Sequence, residues 1–195
     1  MQKPQSDITG CRFTLYPMTD NYAEVILGAL KQTDVSKVWQ QTDHMSTLYI
    51  GRQSHVVDCA NAVFAHCFRE GLHMGGEFTF SKAGHYDVGA TEDILQADDA
   101  LCNAFDGLGD FPAYAKVSIY AFGVEKAAVP IQYVGELAAR HGLQPKVVPL
   151  VTMLKGSSRA LFTFFDEVLT YARENIPFYV LQATVSVNSP TPVDW

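Results

Sequence analysis

Cys11–Tyr16 (CRFTLY) and Ala115–Tyr120 (AKVSIY) share one pattern of apolar and polar residues, and this pair decides the fold. Two further pairs of segments repeat at nearly the same distance: TLYIG at 47–51 with TMLKG at 152–156, and TFS at 79–81 with TVS at 184–186. The offset is 104 residues for the first pair and 105 for the other two. A constant offset over separate segments is the signature of a duplication. The chain is therefore predicted to contain two copies of one supersecondary unit, with a single-residue length change inside the first helix.

Each copy is predicted to be a βαββαβ unit, because short alternating strands are separated by two helical patterns. The elements predicted for the first copy are a strand at 12–16 that Pro17 ends, a helix from Tyr22 to about Thr33 capped by Asp20, strands at about 35–39 and 44–50, a helix at 52–68 with Gly71 at its C-terminal end, and a strand at about 72–82. Those predicted for the second copy are a strand at 115–121, a helix at about 125–141 closed by Gly142, strands at about 144–148 and 150–155, a helix at about 158–174 and a strand at about 177–187. Short hairpins and two crossover helices predict an α+β, ferredoxin-like fold, in which a four-stranded antiparallel sheet carries helices on one face only. One sheet face in each copy is then left open.

The predicted domains are a first ferredoxin-like repeat at 1–84, a connector at 85–113 and a second ferredoxin-like repeat at 114–195. A half of this size has a thin core by itself, so the two halves are expected to pack together. The connector is rich in glycine and acidic residues, which predicts an exposed segment with one short helix around 92–105. Its acidic residues are Asp87, Glu92, Asp93, Asp98, Asp99, Asp106 and Asp110.

Composition narrows the classes of partner. The 195 residues carry a net charge of −7 with a pI of about 5.2, which argues against nucleic acid as a ligand. No segment has the roughly 18 apolar residues of a membrane helix, and residues 1–10 lack the apolar stretch of a secretory signal, so a cytoplasmic protein without membrane insertion is expected. No cofactor or metal is predicted, because the six histidines have no ligand spacing. The cysteines form no C-x-x-C pair and are predicted to be reduced core residues: Cys11, Cys59, Cys67 and Cys102.

Alternation of side chains across the strands separates the helix-covered face of each sheet from the open face. Thr47 and Tyr49 are assigned to the open face, because Leu48 and Ile50 are assigned to the face that the helices cover. The same parity assigns Thr152 of the second copy to the open face. The open faces stay small, hydroxylic or aromatic in both copies, which favours a pocket over a merely solvated surface. The hairpin turn adds Asp43 and His44, although an Asp at this place is also a common turn residue. The candidate ligand-binding residues are Tyr16, Trp39, Asp43, His44, Thr47 and Ser81 in the first copy and Tyr120, Thr152, Gln182 and Ser186 in the second.

Four stretches resemble the YkoF family: RFTLYPMTDNYAEVILGAL at 12–30, VSKVWQQTDHMSTLYIG at 35–51, EFTFS at 77–81 and VSVNSP at 185–190. The resemblance covers nearly the whole chain. It implies a tandem ferredoxin-like homodimer that binds thiamin or its hydroxymethylpyrimidine moiety, one ligand per repeat, without catalysis. It also implies a link to the uptake or salvage of thiamin precursors and an association with their transporter. The second copy departs from the family pattern at Ile119–Phe122, and it has Val148–Pro149 where the first copy has Asp43–His44.

Two other hypotheses remain open. An ACT-like regulatory module would use the same unit to sense an amino acid or another small molecule. A cofactor-free enzyme would use Tyr16, Trp39 and His44, although phosphate-loop, nucleophile-elbow and H-E-x-x-H signatures are missing from the sequence.

Two expectations concern the open faces and the two sites. The open faces carry aromatic residues such as Tyr120, so they are expected to pack against each other or against a second subunit. Because charge-assisted hydrogen bonds are stronger than neutral ones, the loss of Asp43 from the second copy predicts a weaker second site.

Overall fold

The computed structural model describes residues 7–82, 90, 92–103, 107–126, 128–191 and 195. The strands are β1 (Ile8–Pro17), β2 (Val38–Thr42), β3 (Thr47–Arg52), β4 (Met74–Lys82), β5 (Pro112–Phe122), β6 (Gln144–Val148), β7 (Val151–Ser157) and β8 (Phe178–Val187). The helices are α1 (Tyr22–Gln32), α2 (Gln53–Cys67), α3 (Glu92–Leu95), α4 (Ala128–Arg140) and α5 (Ser158–Asn175). Apart from α3, these elements give the order βαββαβ twice.

The described strands form one antiparallel sheet with the order β2-β3-β1-β4-β8-β5-β7-β6. Each repeat contributes four neighbouring strands, and the two repeats join where β4 pairs with β8, from Met74 opposite Val187 to Ser81 opposite Val180. The predicted α+β fold with antiparallel strands is confirmed, but the two four-stranded sheets are one continuous layer. The open faces therefore lie side by side, and the expectation that they pack against each other is wrong. Their burial against a second subunit stays a prediction.

The helices form a second layer with α2 and α5 at its centre. These two helices pack against each other, α1 lies beside α2, and α4 lies beside α5. Three buried rings from both repeats meet under the β4–β8 junction: the Phe64 and Phe78 ring centroids are 5.8 Å apart, and those of Phe78 and Phe162 are 5.3 Å apart. Burying a side chain of this size contributes about 1.5–3 kcal/mol. The two repeats therefore share one hydrophobic core.

The hairpin of the first repeat lies three residues further along the chain than predicted. Strand β2 covers Val38–Thr42 instead of 35–39, and β3 begins at Thr47 instead of His44. The turn between them is closed by the Asp43 backbone N–H, which donates to the Ser46 carbonyl at 2.9 Å. Polar residues fill both the true strand and the predicted turn here, so the sequence pattern did not fix the register.

Helix ends follow the sequence in part. Asp20 is not the cap of α1: Asn21 occupies the N-cap position, and no side chain makes a capping hydrogen bond there. Gly71 and Gly142 follow α2 and α4 with φ angles of +73° and +70°, a conformation that glycine adopts without steric cost. The glycine termination signals were therefore correctly read.

Much of the described part of the connector is exposed, as predicted, but several of its residues pack into the core. Asn103 is buried, and its backbone N–H and side-chain amide each donate to Asp58 Oδ2 at 3.0 Å. The ring of Phe111 stacks on that of Phe68 with centroids 3.8 Å apart. Helix α3 has only four residues, at the start of the helix predicted for 92–105. The acidic connector residues Asp87 and Asp106 and the last two residues of the helix predicted for 92–105 lie outside the described residues.

All four cysteines are free thiols, and three of them are buried in the core as predicted. Burial raises the pKa of the Cys67 thiol to about 12, so this side chain is unreactive at neutral pH. In the part of the chain that the structure describes, no helix is long and apolar enough to cross a bilayer. Among the same residues, no group of three or more His, Cys, Asp or Glu side chains is placed to hold a metal ion.

Candidate functional site

A groove of about 470 Å³ lies between α1, the end of β1 and the tip of the β2–β3 hairpin. We call it the first groove. Helix α1 supplies one wall through Tyr22, Ile26 and Leu27. Tyr22 and Ile26 are four positions apart and therefore face the same side of the helix. The remaining lining residues come from β1, the segment after it, α1 and the hairpin: Phe13, Thr14, Leu15, Tyr16, Pro17, Met18, Leu30, Thr42, Asp43, His44, Met45, Ser46 and Thr47.

The hairpin tip beside this groove is held by Asp43. Its Oδ1 accepts from the backbone N–H groups of Met45 at 2.8 Å and Ser46 at 2.9 Å, and its Oδ2 accepts from Arg12 Nη1 at 2.7 Å. The backbone donor of Met45 and then the Arg12 guanidinium lower the pKa of Asp43 to about 2. Arg12 Nη1 also donates to Ser46 Oγ at 2.6 Å. Both carboxylate oxygens are therefore engaged inside the protein, and Asp43 fixes the groove's rim.

Thr47, Tyr49 and Thr152 lie on the helix-covered face, and their assignment to the open face is wrong. Thr47 pairs directly with Phe13 and Thr152 with Val117, and directly opposed residues share a face. Tyr49 is fully buried, with its ring centroid 4.9 Å from that of Phe13. Segment 47–51 has apolar side chains on both faces of the strand, so alternation alone did not identify the face that the helices cover. Thr47 and Thr152 nevertheless line the two grooves from the inner side.

A second groove of about 370 Å³ occupies the equivalent place in the second repeat, between α4, β5 and the tip of the β6–β7 hairpin. Each residue that lines it stands 104 or 105 positions after a residue that lines the first groove. Its lining residues are Val117, Ser118, Ile119, Tyr120, Ile131, Val134, Val147, Val148, Leu150, Val151 and Thr152. The duplication found in the sequence is thus also a duplication of grooves.

The two grooves differ at their hairpin tips. Val148 replaces Asp43 and Val151 replaces Ser46, so the ion pair and the polar turn are absent from the second tip. Leu150 at this tip has a φ of +74°, which is strained for a residue with a branched side chain, and its side chain is 97% exposed. The hairpin tip of the second groove is therefore the more apolar of the two tips.

The other predicted site residues are distributed as follows. Tyr16 and His44 line the first groove, and Tyr120 lines the second. Gln182 lies on the open sheet face beside Tyr120, in a separate shallow depression. Three candidates line neither groove nor that depression: Trp39, Ser81 and Ser186.

Sequence reasoning missed the contribution of the helices to both grooves. Leu27 of α1 is 65% exposed and Ile131 of α4 is 48% exposed, although both are apolar. They stand at matching positions, 104 residues apart, and Leu27 is not one of the apolar residues that recur at helical spacing along α1, which are Tyr22, Val25, Ile26, Ala29 and Leu30. Apolar residues repeated on the polar side of a duplicated helix were the signal that could have located the grooves.

Chemically, each groove suits reversible binding of a flat, partly apolar molecule. Aromatic rings, aliphatic side chains and a few hydroxyl groups line the walls, which is the usual make-up of a small-molecule site. In the first groove Thr42 Oγ1 and Thr47 Oγ1 lie 3.0 Å apart and share one hydrogen bond, so one donor remains to the pair.

Known proteins resemble this chain over both repeats. The model of the YKOF-related family matches residues 8–84 and 112–192, which together contain both repeats. The Bacillus subtilis protein named "Putative HMP/thiamine-binding protein YkoF" is 31% identical over 187 residues, covering 95% of this chain and 93% of that protein. A crystal structure of a hypothetical protein from Methanocaldococcus jannascii superposes with a TM-score of 0.38 at 16% identity, covering 42% of this chain and 84% of that one.

Proposed function

The chain belongs to the YKOF-related family, and we propose that it binds thiamin or its hydroxymethylpyrimidine moiety without converting it, one molecule in each groove. The observation that carries this proposal is the duplicated groove, whose lining residues correspond between the repeats. The name of the Bacillus subtilis relative supports the choice of ligand.

The chemistry of the ligand fits the walls of the first groove. An aminopyrimidine has a flat π face, an exocyclic amino donor and ring acceptors. Tyr16 and Tyr22 offer aromatic surface for the ring, and the sulfur-containing side chains of Met18 and Met45 adapt to irregular shapes. The hydroxyl pair of Thr42 and Thr47 offers the hydrogen bond that orients it.

Calorimetric titration with thiamin and with hydroxymethylpyrimidine tests the proposal. We expect two molecules of ligand to bind each chain. Leu27→Arg should remove the first site and Ile131→Arg the second, because each places a long charged side chain in one groove from an exposed helix position. Ser81→Ala is the matched control, since Ser81 lines neither groove, and it should bind as the parent does.

The outcomes separate the competing functions. If neither arginine variant changes the titration, the ligand does not occupy the grooves. If amino acids bind and thiamin does not, the ACT-like regulatory module is the better description. Conversion of a bound ligand, seen as a new mass, would favour a cofactor-free enzyme.

We also propose that the chain forms a homodimer through the end of the open sheet face at Phe122 and Phe178, and that it serves the uptake or salvage of thiamin precursors. Phe122 and Phe178 lie exposed on this face with ring centroids 5.6 Å apart, close to Tyr120. Exposed apolar clusters of this kind mark interaction surfaces. Ultracentrifugation should find a dimer that Phe122→Arg dissociates, and a monomeric parent protein at micromolar concentration would contradict the proposal.

A further inference from the structure

A depression of about 290 Å³ lies on the open sheet face next to the second groove. Three of its lining residues, Ser118, Tyr120 and Val151, also line the second groove, so the two cavities adjoin. The polar side chains around it come from β4, β5 and β8: Glu77, Thr79, Lys116, Ser118, Gln182 and Thr184.

Lys116 is the cationic group of this depression. It stands on β5 opposite Thr184 of β8 and is exposed. Within the described ranges, neither an ion pair nor a hydrogen bond engages its ammonium group. The Thr184 hydroxyl and the Gln182 amide line the same depression and can donate further hydrogen bonds, whereas the Ser118 hydroxyl already donates to the Leu150 carbonyl at 3.3 Å.

The matching cation of the first repeat is neutralised. Arg12 stands 104 positions before Lys116, and its guanidinium donates to Asp43 at 2.7 Å and to Ser46 at 2.6 Å. The corresponding positions in the second repeat are Val148 and Val151, which cannot pair with a cation. Both repeats therefore have a cation at this position, but only the first repeat has a carboxylate that pairs with it.

Glu77 is the acidic group that faces the same depression, and it lies on the far side. Thr184 stands between Glu77 on β4 and Lys116 on β5, so the two backbones are separated by two strand spacings, roughly 9–10 Å. The Tyr16 hydroxyl donates to Glu77 Oε2 at 3.4 Å from the side of the first repeat. An anion would therefore sit at the β5 side of the depression, beside the second groove.

We propose that this depression is an anion subsite of the second groove, and that the second repeat prefers a ligand that carries a phosphate or carboxylate group. The first repeat lacks this preference because Asp43 already pairs with Arg12. The inference rests on the proposed function, since it extends the ligand of one of the two grooves.

Paired titrations with thiamin and thiamin monophosphate at low ionic strength test the inference. At one of the two sites we expect the phosphorylated ligand to bind about three- to tenfold more tightly, the size of one exposed charge-assisted contact. Lys116→Met should abolish this preference and leave thiamin binding unchanged. Val148→Asp should reduce it as well, because it restores the carboxylate that the first repeat uses. Lys155→Met is the matched control, since Lys155 lies over the ring of Tyr114 and does not line the depression.

Added salt should weaken the preference, because an exposed cation is screened. Two results would overturn the inference: equal binding of the two ligands at both sites, or a preference for the phosphorylated ligand that survives Lys116→Met. In either case the binding of thiamin itself would still support the proposed function. Absence of binding by both ligands would instead refute the proposed function, and the inference with it. Titration with methylphosphonate and with acetate distinguishes a phosphate subsite from a carboxylate subsite.

Discussion

The hydroxyl group of Tyr49 is buried and has no hydrogen-bond partner among the described residues. An unsatisfied buried hydroxyl costs about 1–3 kcal/mol. Tyr49→Phe removes this group and keeps the ring, so it should raise the free energy of unfolding by up to about 1 kcal/mol. Urea denaturation measures this, and a variant less stable than the parent protein would contradict the assignment.

The acid behaviour of Asp43 follows from its four donors, which are the backbone N–H groups of Met45 and Ser46, the Ser46 hydroxyl and the Arg12 guanidinium. Its pKa is lowered to about 2, so the ionised carboxylate stabilises the folded hairpin above the ordinary carboxyl pKa, and this contribution is lost as the pH falls through about 2. A carbon-13 NMR titration should show a midpoint near 2. In Arg12→Met the midpoint should rise but stay below the ordinary value, because the backbone donors of Met45 and Ser46 remain. An unperturbed midpoint in the parent protein would contradict this.

For single residues, the property hardest to predict from the sequence was the sheet face to which a side chain points. In β1 and β4 the sequence identifies the helix-covered face, because the buried residues Phe13 and Phe78 alternate with polar residues. In β3 it does not, because Leu48, Tyr49 and Ile50 are consecutive apolar residues. Cross-strand register decides such a case, and register is set by tertiary pairing that one sequence does not display.

At the scale of elements, the β6–β7 hairpin tip combines strain with exposure. Leu150 adopts a φ of +74°, where Asn is tolerated far better than Leu. Leu150→Asn should raise the free energy of unfolding by up to about 1 kcal/mol in thermal denaturation. The same change should weaken ligand binding at the second site, since Leu150 lines the second groove.

Met45 offers the matched control for that prediction. It stands at the equivalent tip position, 105 residues earlier, is 77% exposed, and does not have a positive φ. Met45→Asn should therefore give no gain in stability. A gain of equal size in both variants would show that the tip strain is not the cause.

The elements themselves were largely predictable, and their positions less so. Helix α5 and strand β8 lie within one residue of the prediction, because Ser157 caps α5 and long apolar patterns define both. The β2–β3 hairpin shifted by three residues, because its turn is closed by Asp43 and Ser46 rather than by a glycine or proline signal. The grooves were missed for a related reason, since each is formed where a helix and a hairpin tip approach in three dimensions.

At the scale of the whole molecule, the duplication predicted two repeats but not how they join. The pairing of β4 with β8 makes one eight-stranded sheet, and it brings the open faces together as one surface. In an isolated repeat, β4 or β8 would be an exposed edge strand. The sequence contains no pattern that predicts which edge strands pair with each other. The depression beside Lys116 depends on this junction, because Glu77 and Thr79 reach it from the other repeat.

Gln53 links the two central helices and tests whether the repeats unfold as one unit. Its Nε2 donates to Asp166 Oδ1 at 2.8 Å and Thr170 Oγ1 at 2.9 Å, and its Oε1 accepts from Arg173 Nη1 at 2.9 Å. Because Gln53→Ala leaves these partly buried groups without a partner, it should lower the free energy of unfolding by about 1–2 kcal/mol. Gln132→Ala is the control. Gln132 is exposed on α4 and donates to Glu136 alone among the described residues, so this substitution should change the free energy of unfolding by only a few tenths of a kcal/mol.

Since the repeats share one core, calorimetry should show a single unfolding transition for the parent and both variants. Two separate transitions, with only one of them shifted by Gln53→Ala, would show that the repeats are independent domains joined only at β4 and β8.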